Sequence, residues 1–220
     1  MITRTMLPGL AAGTVAGLVL TALYLALIQP MILQAEVFEL GAAQASAGMT
    51  FGRVLETLLF NVLTGVGFAL VLSAVLTLRG RPVGVQQGLL WGLAGFAAAA
   101  LAPAIGLPPE LPGMTAAPLA ERQLWWLLTV ASTAAGLGLL AFGPNQALKV
   151  AGVALLVVPH LFGAPHPAAV GAGGVPAELA ARFAAVSLAS MAVFWTVLGG
   201  CCGYVFDYLM QREEGAAGTG

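Results

Sequence analysis

Both histidines of the chain lie in one short stretch, residues 157–167, between two long apolar runs. Three prolines and one glycine interrupt this stretch, so we expect the chain to turn between His160 and His166. Neutral imidazole is the commonest metal ligand in proteins. The stretch therefore predicts a metal site. The alternative is that His160 stabilises a helix C-terminus and His166 is a loop residue.

Three carboxylates are candidates to complete such a site. Glu36 and Glu39 are three residues apart in a segment with helical apolar spacing, so they share one face of a helix. Glu110 lies in a proline-rich stretch, residues 108–113. Imidazole and carboxylate together suit divalent ions such as cobalt, nickel and zinc. We expect all five side chains to be ligands, the alternative for the Glu36/Glu39 pair being a solvated face of an interfacial helix.

The composition requires a membrane environment around these residues. The chain has 220 residues, of which 60% are hydrophobic and 8% are charged. A soluble domain carries about a quarter charged residues, so this surface belongs in a lipid bilayer. The net charge of −1 provides no basic surface for nucleic acid, which excludes that class of partner.

Six apolar runs organise the chain. Five are long enough to span a membrane, at residues 7–28, 57–78, 85–106, 124–142 and 183–206. The sixth, 147–161, is shorter and is either a short helix or a re-entrant segment. We predict an all-α polytopic membrane helix bundle of six helices, with five spans as the alternative. It forms a single domain over residues 1–209, followed by a disordered tail at 210–220, and Gln29-Pro30 is expected to break the first helix.

The basic residues orient the chain. If the N-terminus lies in the cytoplasm and the chain has six spans, five basic residues lie on the cytoplasmic side and three on the outer side. This distribution agrees with the positive-inside rule. The inner residues are Arg4, Arg79, Arg81, Lys149 and Arg212, and the outer ones are Arg53, Arg122 and Arg182. Both histidines and the three candidate glutamates then lie on the outer face.

Other polar and small residues predict packing more than chemistry. Glycines recur at four-residue spacing, which allows close helix contact: Gly13 and Gly17, Gly88 and Gly92, Gly199 and Gly203. Asn61 either lines a path or bonds across helices. Trp125-Trp126, which follows Arg122, is typical of an interfacial anchor.

The sequence lacks the common motifs of catalysis and nucleotide binding. It contains no Walker A motif, no Rossmann glycine motif, no G-x-S-x-G and no H-E-x-x-H. We therefore predict that the chain is not an enzyme and carries no cofactor.

Four signatures in matching order resemble the CbtA family of bacterial cobalt transporter subunits. They are PHLFGAPHP at 159–167, GLPPELPG at 106–113, RQLWW at 122–126, and QP followed by AEVFE between 29 and 39. The resemblance covers nearly the whole chain. It implies a small inner-membrane protein, usually with five spans, that has a single-span partner, CbtB, and a link to cobalamin synthesis.

The resemblance and the residues together predict a subunit of a cobalt(II) importer, with the cobalt ion as substrate. Two alternatives stay open: a non-transporting membrane scaffold beside a partner that forms the pore, and a transporter of another divalent metal, nickel or zinc. A transporter of an organic solute is the least consistent with the sequence, because the chain offers no buried basic residue to pair with an anion.

Overall fold

The protein is all-helical in the residues that the computed structural model describes, 2–40, 50–167 and 174–217, which confirms the predicted fold class. The side chains of 2–4, 39–40 and 213–217 lie outside that description. The α-helices are α1 (Ile2–Leu23), α2 (Gln29–Leu40), α3 (Phe51–Arg79), α4 (Val85–Phe96), α5 (Ala102–Gly106), α6 (Leu119–Phe142), α7 (Gln146–Phe162) and α8 (Ala177–Ala217). Two π-helical turns, Tyr24–Ile28 and Ala97–Leu101, join α1 to α2 and α4 to α5.

Five helical stretches are long and apolar enough to cross a membrane. They are Thr5–Phe38, Phe51–Arg79, Val85–Gly106, Leu119–Phe142 and Ala177–Arg212. Large apolar side chains such as Leu63 and Leu128 are exposed on them, as a lipid-facing surface requires. The sixth predicted helix, α7, is a continuous helix of 17 residues, which corresponds to about 26 Å.

The first helix does not break at Gln29-Pro30, so that prediction is wrong. The helical conformation passes from α1 through the π-helical turn Tyr24–Ile28 into α2. In a regular α-helix the ring of Pro30 would clash with the carbonyl of Ala26. A π-helical turn is wider, and it accommodates the ring that follows it. The second π-helical turn precedes Pro103 in the same way.

The chain divides into two compact units. Unit 1 comprises Met1–Ala26, Met49–Leu93 and Ser190–Gly220, and unit 2 comprises Leu27–Gly48 and Ala94–Ala189. All five predicted metal ligands belong to unit 2. Helix α8 extends to Ala217, so it includes most of the stretch for which the sequence predicts a disordered tail.

Glycines bring helix backbones into direct contact in unit 1. A Cβ added to Gly65 of α3 would meet the carbonyl oxygen of Gly13 and would lie 3.2 Å from the nitrogen of Gly17, both on α1. Helices α4 and α8 meet in the same manner, because a Cβ added to Gly88 would lie 2.8 Å from the Cα of Gly203. The packing role predicted for these glycines is confirmed.

Polar side chains inside unit 1 bond to one another across helices. Asn61 donates from Nδ2 to the Thr21 hydroxyl at 3.3 Å, and Thr21 in turn donates to the carbonyl of Gly17. Ser73 lies 3.8 Å from the sulfur of Cys202. Of the two roles that the sequence allows for Asn61, the structure therefore shows the bond between helices.

An antiparallel pair of helices, α6 and α7, forms the centre of unit 2. The two backbones approach at Gly136 and Gly152, where a Cβ added to either glycine would meet the other's carbonyl oxygen at 2.7–2.8 Å. From there α7 runs back along α6 until its last turn reaches Trp125, near the start of α6. The C-terminus of α7 and the N-terminus of α6 therefore lie at the same end of unit 2.

Candidate functional site

His160 lies in the last turn of α7, where a neighbouring aromatic ring positions it. Helix α7 begins at Asn145, whose Oδ1 accepts a hydrogen bond from the Leu148 backbone N–H at 2.9 Å. At the other end, the half-buried His160 ring packs edge-on against Trp125, with 6.0 Å between ring centroids and 65° between planes. This contact restricts the orientation of the imidazole, as would be required of a preorganised metal ligand.

Pro159 leaves one backbone carbonyl of α7 without its helical hydrogen bond, and a side chain of α6 donates to that carbonyl instead. A proline at position 159 has no N–H to donate to the carbonyl of Leu155, four residues earlier. The Ser132 hydroxyl of α6 donates to that carbonyl oxygen at 2.6 Å. Ser132 therefore compensates for the proline and ties the end of α7, with its histidine, to α6.

Replacing Ser132 with alanine should destabilise unit 2 by about 1–3 kcal/mol, because the partly buried carbonyl of Leu155 then loses its partner. The control is the same substitution in a Pro159→Ala variant, in which residue 159 regains a backbone N–H that can donate to the Leu155 carbonyl. In that background Ser132→Ala should cost much less, a coupling that thermal unfolding of the four proteins in detergent would reveal. An equal cost in both backgrounds would mean that Ser132 does not compensate for the proline.

Glu110 forms an ion pair one helical turn from Trp125. Its carboxylate lies 2.9 Å from the Arg122 guanidinium, and both side chains are partly exposed. The loop that carries Glu110 is held by buried Leu111, whose carbonyl accepts a hydrogen bond from the Met114 N–H. A divalent ion that used Glu110 would have to compete with the guanidinium for the carboxylate.

The other predicted ligands whose side chains are described do not form a group of three with His160. His166 is exposed in the segment that follows α7, and Glu36 is half-buried on α2. The side chain of Glu39 lies outside the described residues. Among the side chains that are described, no group of three His, Cys, Asp or Glu residues lies close enough to hold a metal ion. The five-residue ligand set therefore stays a prediction.

Trp125 is the residue whose role the sequence suggested least well. It is half-buried, its ring packs near Gly106 and Ala164 as well as His160, and its indole nitrogen is buried. This is not the environment of an interfacial anchor, because the polar end of such a tryptophan faces the headgroups.

Two further buried polar residues lie on the same helix, Thr129 and Thr133, and the sequence did not identify them as functional candidates. With Trp125 they recur at intervals of four in a mostly apolar run, which is the signal that could have identified them.

The comparisons with known proteins place the chain in a family. No curated protein and no solved structure matches it. The family model of CbtA, described as a probable cobalt transporter subunit, matches residues 2–207. The family is one of transporter subunits, and the five long apolar helices agree with a membrane protein. The chain belongs to the CbtA family.

Proposed function

We propose that this protein is the membrane subunit that carries cobalt(II) into the cell, and that the ion binds first at the end of unit 2 that holds His160. The observation that carries this proposal is the family match over residues 2–207. The site supports it through His160, a half-buried imidazole set against Trp125 at that end. Imidazole nitrogen is a good ligand for divalent cobalt.

Carboxylates would complete the coordination of the ion. Of the three candidate glutamates, Glu110 is the nearest in the chain to α6, and it is held by Arg122, so an arriving dication would displace the guanidinium from it. Glu36, Glu39 and His166 are the other ligands proposed from the sequence. Because raw affinity for such donors follows the Irving–Williams order, selection of cobalt over nickel and copper would depend on geometry.

The membrane potential would drive the ion inward. A unit charge gains about 2.3 kcal/mol per 100 mV, so a divalent ion gains about 4.6 kcal/mol. This requires the inner membrane, with the N-terminus in the cytoplasm and the His160 end facing outward, as the basic residues predict. The sequence has no nucleotide-binding motif, so ATP would not be hydrolysed by this chain.

A second subunit is part of the proposal, because the family is described as a transporter subunit. The resemblance points to a CbtB-like single-span protein with its own histidine segment, and to a supply of cobalt for cobalamin synthesis. Such a partner could contribute ligands that complete the coordination begun by His160.

A scaffold role is the second candidate, and one observation favours it. No three candidate ligands come together among the side chains that the structure describes, as a subunit without its own ion site would show. In that case the partner forms the pore, and this chain binds the partner.

Accumulation of radioactive cobalt in cells tests the proposal. Cells that express this chain with a CbtB-like partner should accumulate cobalt faster than cells with the partner alone, and unlabelled nickel and zinc should compete only weakly. Equal accumulation with and without this chain would contradict a role in cobalt import. Competition by nickel or zinc as strong as by unlabelled cobalt would reassign the substrate.

A further inference from the structure

An open groove at one end of unit 2 lies between the last turns of α2 and the first turns of α8. Its volume is about 440 Å³, which is within the range of sites that hold small molecules. The side chains that line it from the two helices include Gln34, Val37, Phe38, Glu178, Leu179 and Arg182. A Cβ added to Gly174 would lie 3.4 Å from the Phe38 carbonyl oxygen, so the chain that enters α8 contacts the end of α2.

This groove lies at a boundary of the membrane-crossing region. The apolar stretch Thr5–Phe38 ends beside it, and the stretch Ala177–Arg212 begins there. Residues 183–206 contain no charged side chain, so Arg182 marks the level at which the hydrocarbon begins. Glu178 is one helical turn farther from the hydrocarbon, about 6 Å along the helix axis. The groove is therefore at the level of the lipid headgroups.

Glu178 and Arg182 border the groove as unpaired charges among the side chains that the structure describes. They are four residues apart with the acid first, which is the spacing at which ion pairs commonly form on a helix. Neither forms an ion pair with the other or with any other described side chain, whereas Glu110 and Arg122 are 2.9 Å apart. One carboxylate and one guanidinium are therefore available to a ligand that carries both signs of charge.

The headgroup of phosphatidylethanolamine carries the matching charges in the matching order. Its phosphate is attached to the glycerol that holds the acyl chains, and its ammonium lies farther out, beyond a two-carbon bridge. A guanidinium such as that of Arg182 binds phosphate through paired hydrogen bonds, and the Glu178 carboxylate accepts from an ammonium. The aromatic residue Phe38 also lines the groove, and an aromatic ring attracts an ammonium. A headgroup with a phosphate and no ammonium would leave Glu178 facing a like charge.

We propose that this groove binds one zwitterionic phospholipid, phosphatidylethanolamine, with its phosphate at Arg182 and its ammonium at Glu178. Because both helices line the groove, a bound lipid touches both and holds the end of α2 against the start of α8. The apolar side chains Val37 and Leu179 contact the carbon atoms of the headgroup and glycerol. This site does not rest on the proposed transport of cobalt.

Thermal unfolding of the full chain in detergent, with lipid added, tests the site. Phosphatidylethanolamine should raise the unfolding midpoint by about 3 °C or more above the effect of phosphatidylglycerol with the same acyl chains, because a ligand that binds only the folded protein stabilises it. Glycerophosphoethanolamine, which is the headgroup without acyl chains, should have no effect at the same concentration. Equal shifts with the two lipids would overturn the proposal. A full shift with glycerophosphoethanolamine would also overturn it, because the ligand would then be a soluble compound.

Substitutions at the two charged residues test their separate roles. Glu178→Gln keeps the size of the side chain and removes the charge that attracts the ammonium, so phosphatidylethanolamine should lose its advantage over phosphatidylglycerol. Arg182→Gln removes the phosphate partner and should abolish the shift with phosphatidylethanolamine. Glu121→Gln, at an exposed glutamate of α6 that does not line the groove, is the control and should respond to both lipids as the wild type does. A preference for phosphatidylethanolamine that survives in Glu178→Gln and in Arg182→Gln would overturn the proposal.

Discussion

Replacing His160 with alanine should reduce the uptake of radioactive cobalt by about tenfold or more, whereas His166→Ala should change it by less than about twofold. The two histidines are six residues apart, yet their environments differ. His160 is half-buried in the last turn of α7 and packs against Trp125, whereas His166 is exposed in the segment beyond the helix. A ligand held in place loses less entropy on binding, so the ordered imidazole should contribute more to the capture of the ion.

The comparison between the two histidines also contains its own control. Both substitutions remove one imidazole from the same stretch of chain, residues 157–167, so a general effect on charge or expression would lower cobalt uptake in both variants. A result in which His166→Ala abolishes uptake and His160→Ala does not would contradict the assignment of His160 as the main ligand. Normal uptake in both variants, at normal expression, would remove imidazole from the mechanism.

Gly65→Ala should destabilise unit 1 by about 1–3 kcal/mol, whereas Gly67→Ala should be neutral or stabilising. A methyl group at Gly65 would meet the carbonyl of Gly13 and approach the nitrogen of Gly17, and backbone atoms cannot move aside as a side chain can. A methyl group at Gly67 meets nothing within 4 Å. The two positions lie two residues apart on α3, so helix propensity affects both in the same direction.

Thermal unfolding of the two glycine variants in detergent measures this difference. The expected order of midpoints is Gly65→Ala lowest, with the wild type and Gly67→Ala close together or Gly67→Ala slightly higher. Equal midpoints for the two variants would mean that α1 and α3 do not depend on direct backbone contact.

The helices of this protein could be predicted from the sequence because lipid imposes a simple rule. Each span needs about 20 apolar residues, and the long runs satisfied that requirement without any knowledge of packing. The error at Pro30 has a local cause: a proline normally ends a helix, but a π-helical turn placed just before it removes the clash. The residue types at positions 24–28 do not predict a π-helical turn.

The candidate site could be predicted only in part, since its contacts depend on how α6 and α7 pack. The sequence identifies His160 as a ligand candidate, because histidines are rare in this chain. It does not identify Trp125 as the partner of that histidine, nor Ser132 as the donor that compensates for Pro159. These contacts join residues 23 to 35 positions apart, and their register is determined by the close approach of Gly136 and Gly152.

Cobalt uptake into vesicles tests the central claim most directly. The purified chain is reconstituted alone and with a CbtB-like partner, and radioactive cobalt is supplied outside while an inside-negative potential is imposed. We predict uptake that depends on this chain, increases with the potential and falls strongly in His160→Ala. Uptake by the partner alone at the full rate, with no contribution from this chain, would contradict the account and leave the chain as a scaffold.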